Sequence, residues 1–280
     1  MMLSNPAGLN SSGELTGIII NMDKWNANDY SRNSSAQESW AKELISKLSL
    51  KGHESLIDIG CGDGKITNEI AARLPAGLAV GIDSSGSMIE LASSTYARDN
   101  LSFVLMDAEN IHLDRKFDVA FSNATLHWVK DHQAVLASLK KHMNPNGKIL
   151  FQMGGKGNAQ DIVNTLDRIT ADERWSEFFK QFEFPYHFCE VEDYEAWLPA
   201  SGYRAVRIEL ITKDMVHKNT EGLKGWLRTT WFPYINKIPI DLRESFLDEL
   251  VNTFLEEIPL DPLKQTHVKM VRLEVEAYVL

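Results

Sequence analysis

The sequence holds only two cysteines, Cys61 and Cys189, which form no disulfide or metal-binding pattern. No apolar stretch approaches the roughly 18 residues that a membrane span needs. The first residues lack a basic region, and their only apolar run is Ile18-Ile19-Ile20, which is too short for a signal peptide. The expected location is therefore cytoplasmic, with no membrane partner. No basic run exceeds the pair Lys140-Lys141 and the net charge is −10, so the positive footprint of a nucleic-acid-binding protein is absent. There are no internal repeats. No nucleophile–base constellation and no pair of carboxylates stands out, and the two histidines of HxxxxH, His127 and His132, are not at a usual zinc spacing. No metal is expected. What is present is a composition of 44% hydrophobic and 24% charged residues over 280 positions, that of an ordinary globular protein with room for one large domain.

The most informative stretch is LIDIGCGDGKIT, Leu56 to Thr67. A short apolar run leads into Gly60, Gly62 and Gly64, after which a helix begins. A buried strand, a tight loop and a helix N-terminus bring backbone N–H groups against a polar or anionic ligand. The spacing separates two ligand classes. A dinucleotide fingerprint requires G-x-G-x-x-G, but its third glycine falls on Lys65 or on Thr67, according to where the count begins. The pattern here is acidic-x-G-x-G-x-G, from Asp58 to Gly64, with Cys61 as a small residue inside the loop.

Further along the chain, short apolar runs alternate with helical patterns. Ahead of the glycine loop, Trp40, Leu44, Ile45 and Leu48 recur at helical spacing behind a candidate capping box of Ser35 and Glu38. Strands are predicted at Leu56 to Ile59, Leu78 to Ile82, Leu101 to Ile111, from Lys116, and at Lys148 to Met153. Helices are predicted over Lys65 to Leu74, Gly86 to Tyr96 and Asp131 to Met143, and Pro145-Asn-Gly147 reads as a turn. This alternation predicts an α/β, doubly wound, mostly parallel sheet. Residues 156 to about 200 and Thr220 to Leu260 read as helical and aromatic-rich. Val206, Ile208 and Leu210, and then Val271 to Val279, alternate like strands and would complete a seven-stranded sheet as an antiparallel C-terminal pair. The expected organisation is a loose tail over 1–22, a ligand-binding core over 23–155, and lid helices plus the last two strands over 156–280. Asp83, at the tip of the second strand, can accept both ribose hydroxyls of an adenosine. Capping of the next helix is as common a role for such a residue, but the glycine loop upstream favours the ribose.

The loop from Asp58 to Gly64 resembles motif I of the class I S-adenosylmethionine-dependent methyltransferases. The resemblance implies a Rossmann-like core and S-adenosyl-L-methionine as cofactor, with S-adenosyl-L-homocysteine as product. It implies that Asp107, with Ala108 beside it, meets the adenine amino group and that Ser84 and Met88 flank the ring. Ligands of open α/β sheets bind at strand tips, so Asn123, Ala124, His127 and Trp128 should face the methyl donor or the acceptor.

From Trp25 onward the chain also resembles the group holding trans-aconitate methyltransferase and juvenile hormone acid methyltransferase. WNxxxY (Trp25, Asn26, Tyr30) is similar to the first, and LHWV (126 to 129), Gln37, the WSxF…PYH run (175 to 187) and EGLK (221 to 224) are similar to the second. The second family implies that Gln37 and Trp128 hold the substrate carboxylate, and both side chains can donate a hydrogen bond without adding charge. The trans-aconitate pattern has an arginine where Gln37 stands, which suits a polyanion better. The expected acceptor is therefore a small organic acid, methylated on its carboxylate. Tyr30, Tyr186, Trp226, Arg228 and Trp231 are candidates to contact it, and the aromatic ones are equally ordinary core residues. The rivals are C- or N-methylation of another small metabolite, for which His127 would serve as base, and a non-catalytic binding protein of the same fold. A monomer or a homodimer fits equally.

Overall fold

The computed structural model describes residues 35–280, with side chains from residue 39 onward. Trp25, Asn26 and Tyr30 lie outside the described residues, as do the side chains of Ser35, Gln37 and Glu38.

Helix α1 (Ser35–Ser46) precedes the sheet. Trp40, Leu44, Ile45 and Leu48 are all buried along one stripe, as the helical spacing predicts. Five parallel strands follow: β1 (Ser55–Ile59), β2 (Leu78–Asp83), β3 (Leu101–Leu105), β4 (Phe117–Asn123) and β5 (Met143–Gly154). Helices α2 (Lys65–Ala71), α3 (Gly86–Thr95) and α4 (His132–Lys140) cross between them. Beyond β5 come α5 (Gln160–Thr170), α6 (Val191–Ala200), β6 (Tyr203–His217), α7 (Thr220–Thr230), α8 (Phe232–Ile235), α9 (Arg243–Glu257) and β7 (Thr266–Val279). The order across the seven-stranded sheet is β3-β2-β1-β4-β5-β7-β6. β7 runs antiparallel to both β5 and β6. The chain reverses its direction of winding between β1 and β4, which opens a crevice at the carboxyl ends of those two strands.

Both faces of the sheet are covered. Ile57, Ile59, Val80 and Ile82 pack with Leu136, Leu139 and Leu198 on one side. Leu56, Ala79, Phe121 and Leu150 pack with Leu44, Ile45, Ile70 and Leu74 on the other. A third cluster joins Trp40 of α1 and Val268 and Met270 of β7 to α5, α7 and α9 through Leu166, Leu223, Trp226, Leu250 and Phe254. Of the helices after β5, α5, α7 and α9 thus rest on one face of β7, while α6 packs in the first cluster through Leu198.

Four details differ from the sequence reading. The third strand ends at Leu105, before Asp107, which instead accepts the Glu109 N–H and caps a short 3-10 turn. Pro145-Asn146-Gly147 lies inside β5 as a register shift against β4, because Met143 already pairs with Phe117. Residues 180–188 carry no helix, and the short 3-10 helix before them ends at Phe179. A bulge between Ala205 and Arg207 breaks the alternation of β6, leaving Val206 52% exposed on an edge strand.

Candidate functional site

The crevice holds a cavity of about 850 Å³, within the roughly 300–1,000 Å³ usual for small-molecule sites. Its floor is the glycine loop. Gly60 and Cys61 donate their N–H groups to the Ile82 carbonyl at 2.7 and 3.0 Å, fixing the loop across the tip of β2. Two glycines here answer to different constraints. A Cβ on Gly60 would stand 1.9 Å from Thr125 Cγ2, and the Thr125 hydroxyl donates to the Gly60 carbonyl at 2.9 Å, so this glycine lets the β1 and β4 tips touch. Gly62 has φ +53°, lines the cavity, and a Cβ there would meet nothing within 4 Å. The protein thus leaves backbone bare toward open space, a cradle for a ligand.

Two carboxylates flank this cradle. Asp83 accepts the Gly62 N–H at 2.9 Å and the Ser85 N–H at 2.8 Å, one on each oxygen, and each oxygen keeps a further lone pair. Burial raises its pKa against the pull of those two N–H groups. Asp58 is 2% exposed on β1 and accepts the Thr67 hydroxyl at 2.6 Å. Burial pushes its pKa up to about 7 despite that hydrogen bond, and the charge of Asp83 adds to the rise. Both would gain from a cation placed between them. Burial also pushes the Cys61 thiol far above its usual range, so it stays protonated and packs as a small apolar residue.

The strand tips supply the rest of the wall. Ser84, Met88, Asp107, Ala108 and Asn123 all line the cavity, as do Asp58, Gly60, Cys61, Gly62, Asp83 and Trp128. Gly64 does not line it. Its ideal Cβ would stand 2.6 Å from Phe103 Cζ, so it serves packing behind the loop. Ala124, at φ +57°, follows Asn123 in a left-handed turn and donates its N–H to the Gln152 carbonyl at 2.7 Å. That turn throws the next residues back over the crevice, where Trp128 stacks on Phe232 at 5.3 Å and meets Tyr186 at 4.7 Å. Ala41 of α1 lines the same end, and Gln37 stands four residues ahead of it in that helix.

Other candidates fall elsewhere. His127 is 7% exposed and lines a second, smaller cavity behind Trp128. Its Nδ1 accepts the Gly154 N–H at 3.4 Å, and burial, then the Arg272 charge, hold its pKa well below the usual histidine range. Tyr186, Trp226 and Trp231 line that same small cavity and not the large one. Arg228 reaches neither cavity. It pairs with Glu244 at 3.2 Å, at the surface. The sequence reading passed over Phe232, Thr125 and Met106 in the large cavity and Arg272 in the small one. Thr125 was within reach, two residues past the β4 tip, whereas Phe232 and Arg272 arrive from elements far along the chain. Among the described residues, no group of three or more His, Cys, Asp or Glu side chains could hold a metal, and no helix is long and apolar enough to cross a membrane.

A family model described as a methyltransferase domain matches residues 57–151, the span from β1 through most of β5. An uncharacterized methyltransferase of Schizosaccharomyces pombe is 31% identical over 217 residues, covering 74% of this chain and 80% of that one. A trans-aconitate 2-methyltransferase of Deinococcus radiodurans is 29% identical over 241 residues, covering 84% and 92%. A juvenile hormone acid O-methyltransferase of Bombyx mori is 27% identical over 248 residues, covering 84% and 88%.

Proposed function

The chain belongs to the class I S-adenosylmethionine-dependent methyltransferases, and we propose that the group it methylates is the carboxylate of a small organic acid, giving a neutral ester. The cavity fits the cofactor. A bare backbone cradle at Gly62, a raised-pKa carboxylate on either side of it and an 850 Å³ cavity suit a cationic adenosine derivative. In this reading Asp83 takes the ribose hydroxyls, Asp58 faces the positive end, Asp107 and Ala108 meet the adenine edge, and Ser84 and Met88 flank the ring. When bound, S-adenosylmethionine supplies an electrophilic methyl group on a sulfonium.

The observation that carries the acceptor class is the state of His127. A hydroxyl or carbon acceptor must lose a proton, so a base near the methyl donor would be required. His127 is the imidazole of that turn, yet it is buried outside the large cavity with its Nδ1 engaged by Gly154. A carboxylate is already ionised at neutral pH and needs no base. The protein's work is then positioning and exclusion of water. Trp128 and Phe232 offer an apolar wall for the acid's body, and Gln37 and Trp128 are the proposed donors to its carboxylate. The names of the Deinococcus and Bombyx relatives, both referring to acids, support the same reading.

The test is S-adenosylhomocysteine release over a panel of acids, from short and long monoacids to polyacids of the aconitate type. Turnover confined to apolar monoacids is expected. Preference for polyacids would transfer the assignment to the trans-aconitate side of the group, and silence with cofactor bound would overturn the carboxylate reading.

A further inference from the structure

Behind Trp128 lies the second cavity, of about 30 Å³, sharing Ala124 and Trp128 with the large one. It is too small for an acceptor's body, but it has room for one or two waters or for the oxygens of one carboxylate. Its lining is unusual in chemistry. Trp226 and Trp231 are each 2% exposed, and neither indole N–H has a hydrogen-bond partner, nor does the Thr230 hydroxyl beside them. An indole N–H can only donate, and a buried donor left unmet costs about 1–3 kcal/mol. What completes this chamber is therefore an acceptor.

Arg272 supplies the charge of this lining, and its guanidinium also lies over the Trp40 ring at 5.8 Å. Arg272, 3% exposed, is the only lining residue, among those described, that is charged at neutral pH. His127 is held neutral by burial and by the Arg272 charge. Burial also raises the Tyr186 pKa well above its usual value, and its hydroxyl donates to the Thr230 carbonyl at 2.5 Å. Asn158 has its carbonyl oxygen engaged by the Val271 N–H at 3.1 Å. Two lining indoles with unmet donors, beside a guanidinium, suit the oxygens of a carboxylate.

We propose that this chamber is an oxyanion pocket that takes one carboxylate of the acceptor, hydrogen-bonded by Trp226 and Trp231 and facing Arg272, while the acceptor's body lies along Trp128 and Phe232. The inference rests on the organic-acid reading above. The carboxylate has two sources, the group being methylated or a second acid group on a diacid, and the probes separate them.

Binding is measured calorimetrically to the protein saturated with S-adenosylhomocysteine, using octanoate, octanedioate and methyl octanoate. Wild type is expected to bind octanoate or octanedioate in preference to methyl octanoate. Trp231→Phe and Trp226→Phe keep an aromatic ring in place but remove the donor together with part of the indole, and each is expected to weaken acid binding by about tenfold or more. The lost bulk lowers the thermal midpoint, whereas affinity for S-adenosylhomocysteine should stay near wild type. Equal loss for both acids assigns the chamber to the reacting carboxylate, and loss for octanedioate alone assigns it to a second one. Unchanged acid binding in both variants, or no preference over the methyl ester in wild type, would overturn the proposal. Should a phenylalanine variant fail to fold, Arg272→Lys answers the same question, since a point charge cannot reproduce the guanidinium fork. Acid binding that depends on these indoles without any turnover would sink the methylation reading and leave the chamber standing.

Discussion

Gly60 and Gly62 lie two residues apart, yet replacing each by alanine should do opposite things. At Gly62 the new methyl meets no atom within 4 Å, so no protein atom has to move. The strain comes from φ +53°, where an L-residue costs roughly 1–2 kcal/mol. In a domain of this size that lowers the thermal midpoint by roughly 2–8 °C and leaves the protein folded. The methyl does, however, enter the cradle beside Asp83, whose carboxylate accepts the Gly62 N–H at 2.9 Å. Overpacking a fitted contact costs about 1–3 kcal/mol, so S-adenosylmethionine affinity should fall about 5- to 150-fold. At Gly60 the methyl would stand 1.9 Å from Thr125 Cγ2, and the β1 and β4 tips would be forced apart. Gly60→Ala should therefore lose folded yield before any binding can be measured. The assay pairs scanning calorimetry with titration of S-adenosylmethionine into each variant. Wild-type affinity in a folded Gly62→Ala protein would refute the cradle, and Gly62 would then be there for its φ alone.

Three further outcomes follow from the same geometry. Asp83→Ala should weaken S-adenosylmethionine binding by about 1–3 kcal/mol through loss of charge-assisted hydrogen bonds; unchanged calorimetric affinity would remove Asp83 from the ribose site. Asp58 has its folded pKa raised from 3.8 to about 7, so in that window the folded empty protein binds the proton that the unfolded chain has released. Stability of the empty protein should accordingly fall as pH rises from 4 to 7, by at most about 4 kcal/mol, and level off above. A bound cation favours ionised Asp58, so cofactor affinity should rise over the upper part of that window with release of a proton; a pH-independent affinity, or an Asp58→Asn variant with the same profile, would contradict this. Gln37→Ala should spare cofactor binding and cut turnover of acids; equal loss of both would mean a structural role for Gln37.

What could be read without coordinates was local. The motif from Asp58 to Gly64, the acid at Asp83, Asp107 just past β3 and the β4 tip at Asn123 are each specified within a few residues, and of these all but Ile59 and Gly64 line one cavity. Gly64 misses it because its constraint, Phe103, comes from β3 and not from the loop. Less was legible where a residue's place depends on what covers it. Tyr186, Trp226 and Trp231 were legible as aromatic, but their place behind Trp128, not around the large cavity, follows from how α7 and α8 settle on β7.

The clearest case is β7 itself. Val271, Leu273, Val275, Ala277 and Val279 alternate with charges, and in an edge or surface strand those charges would face water. β7 instead lies between β5 and β6, and α1, α5, α7 and α9 cover its second face. Arg272 and Glu274 are therefore both buried, two residues apart on that face, at 3% and 0% exposure. Burying a charge is tolerated only where a partner compensates for lost water. Glu274 has its partners within the fold: Lys47 just past α1 at 2.9 Å, Gln152 of β5 at 3.1 Å, and Arg207 of β6. This network ties α1 to β7, and so holds Ala41 and the helix that carries Gln37 against the crevice. Arg272 lies over the Trp40 ring of α1 at 5.8 Å and borders the small chamber, whose lining shares Trp128 and Ala124 with the large cavity. Both buried side chains on this strand thus bear on α1, the helix beside the crevice, and Arg272 borders the small chamber as well.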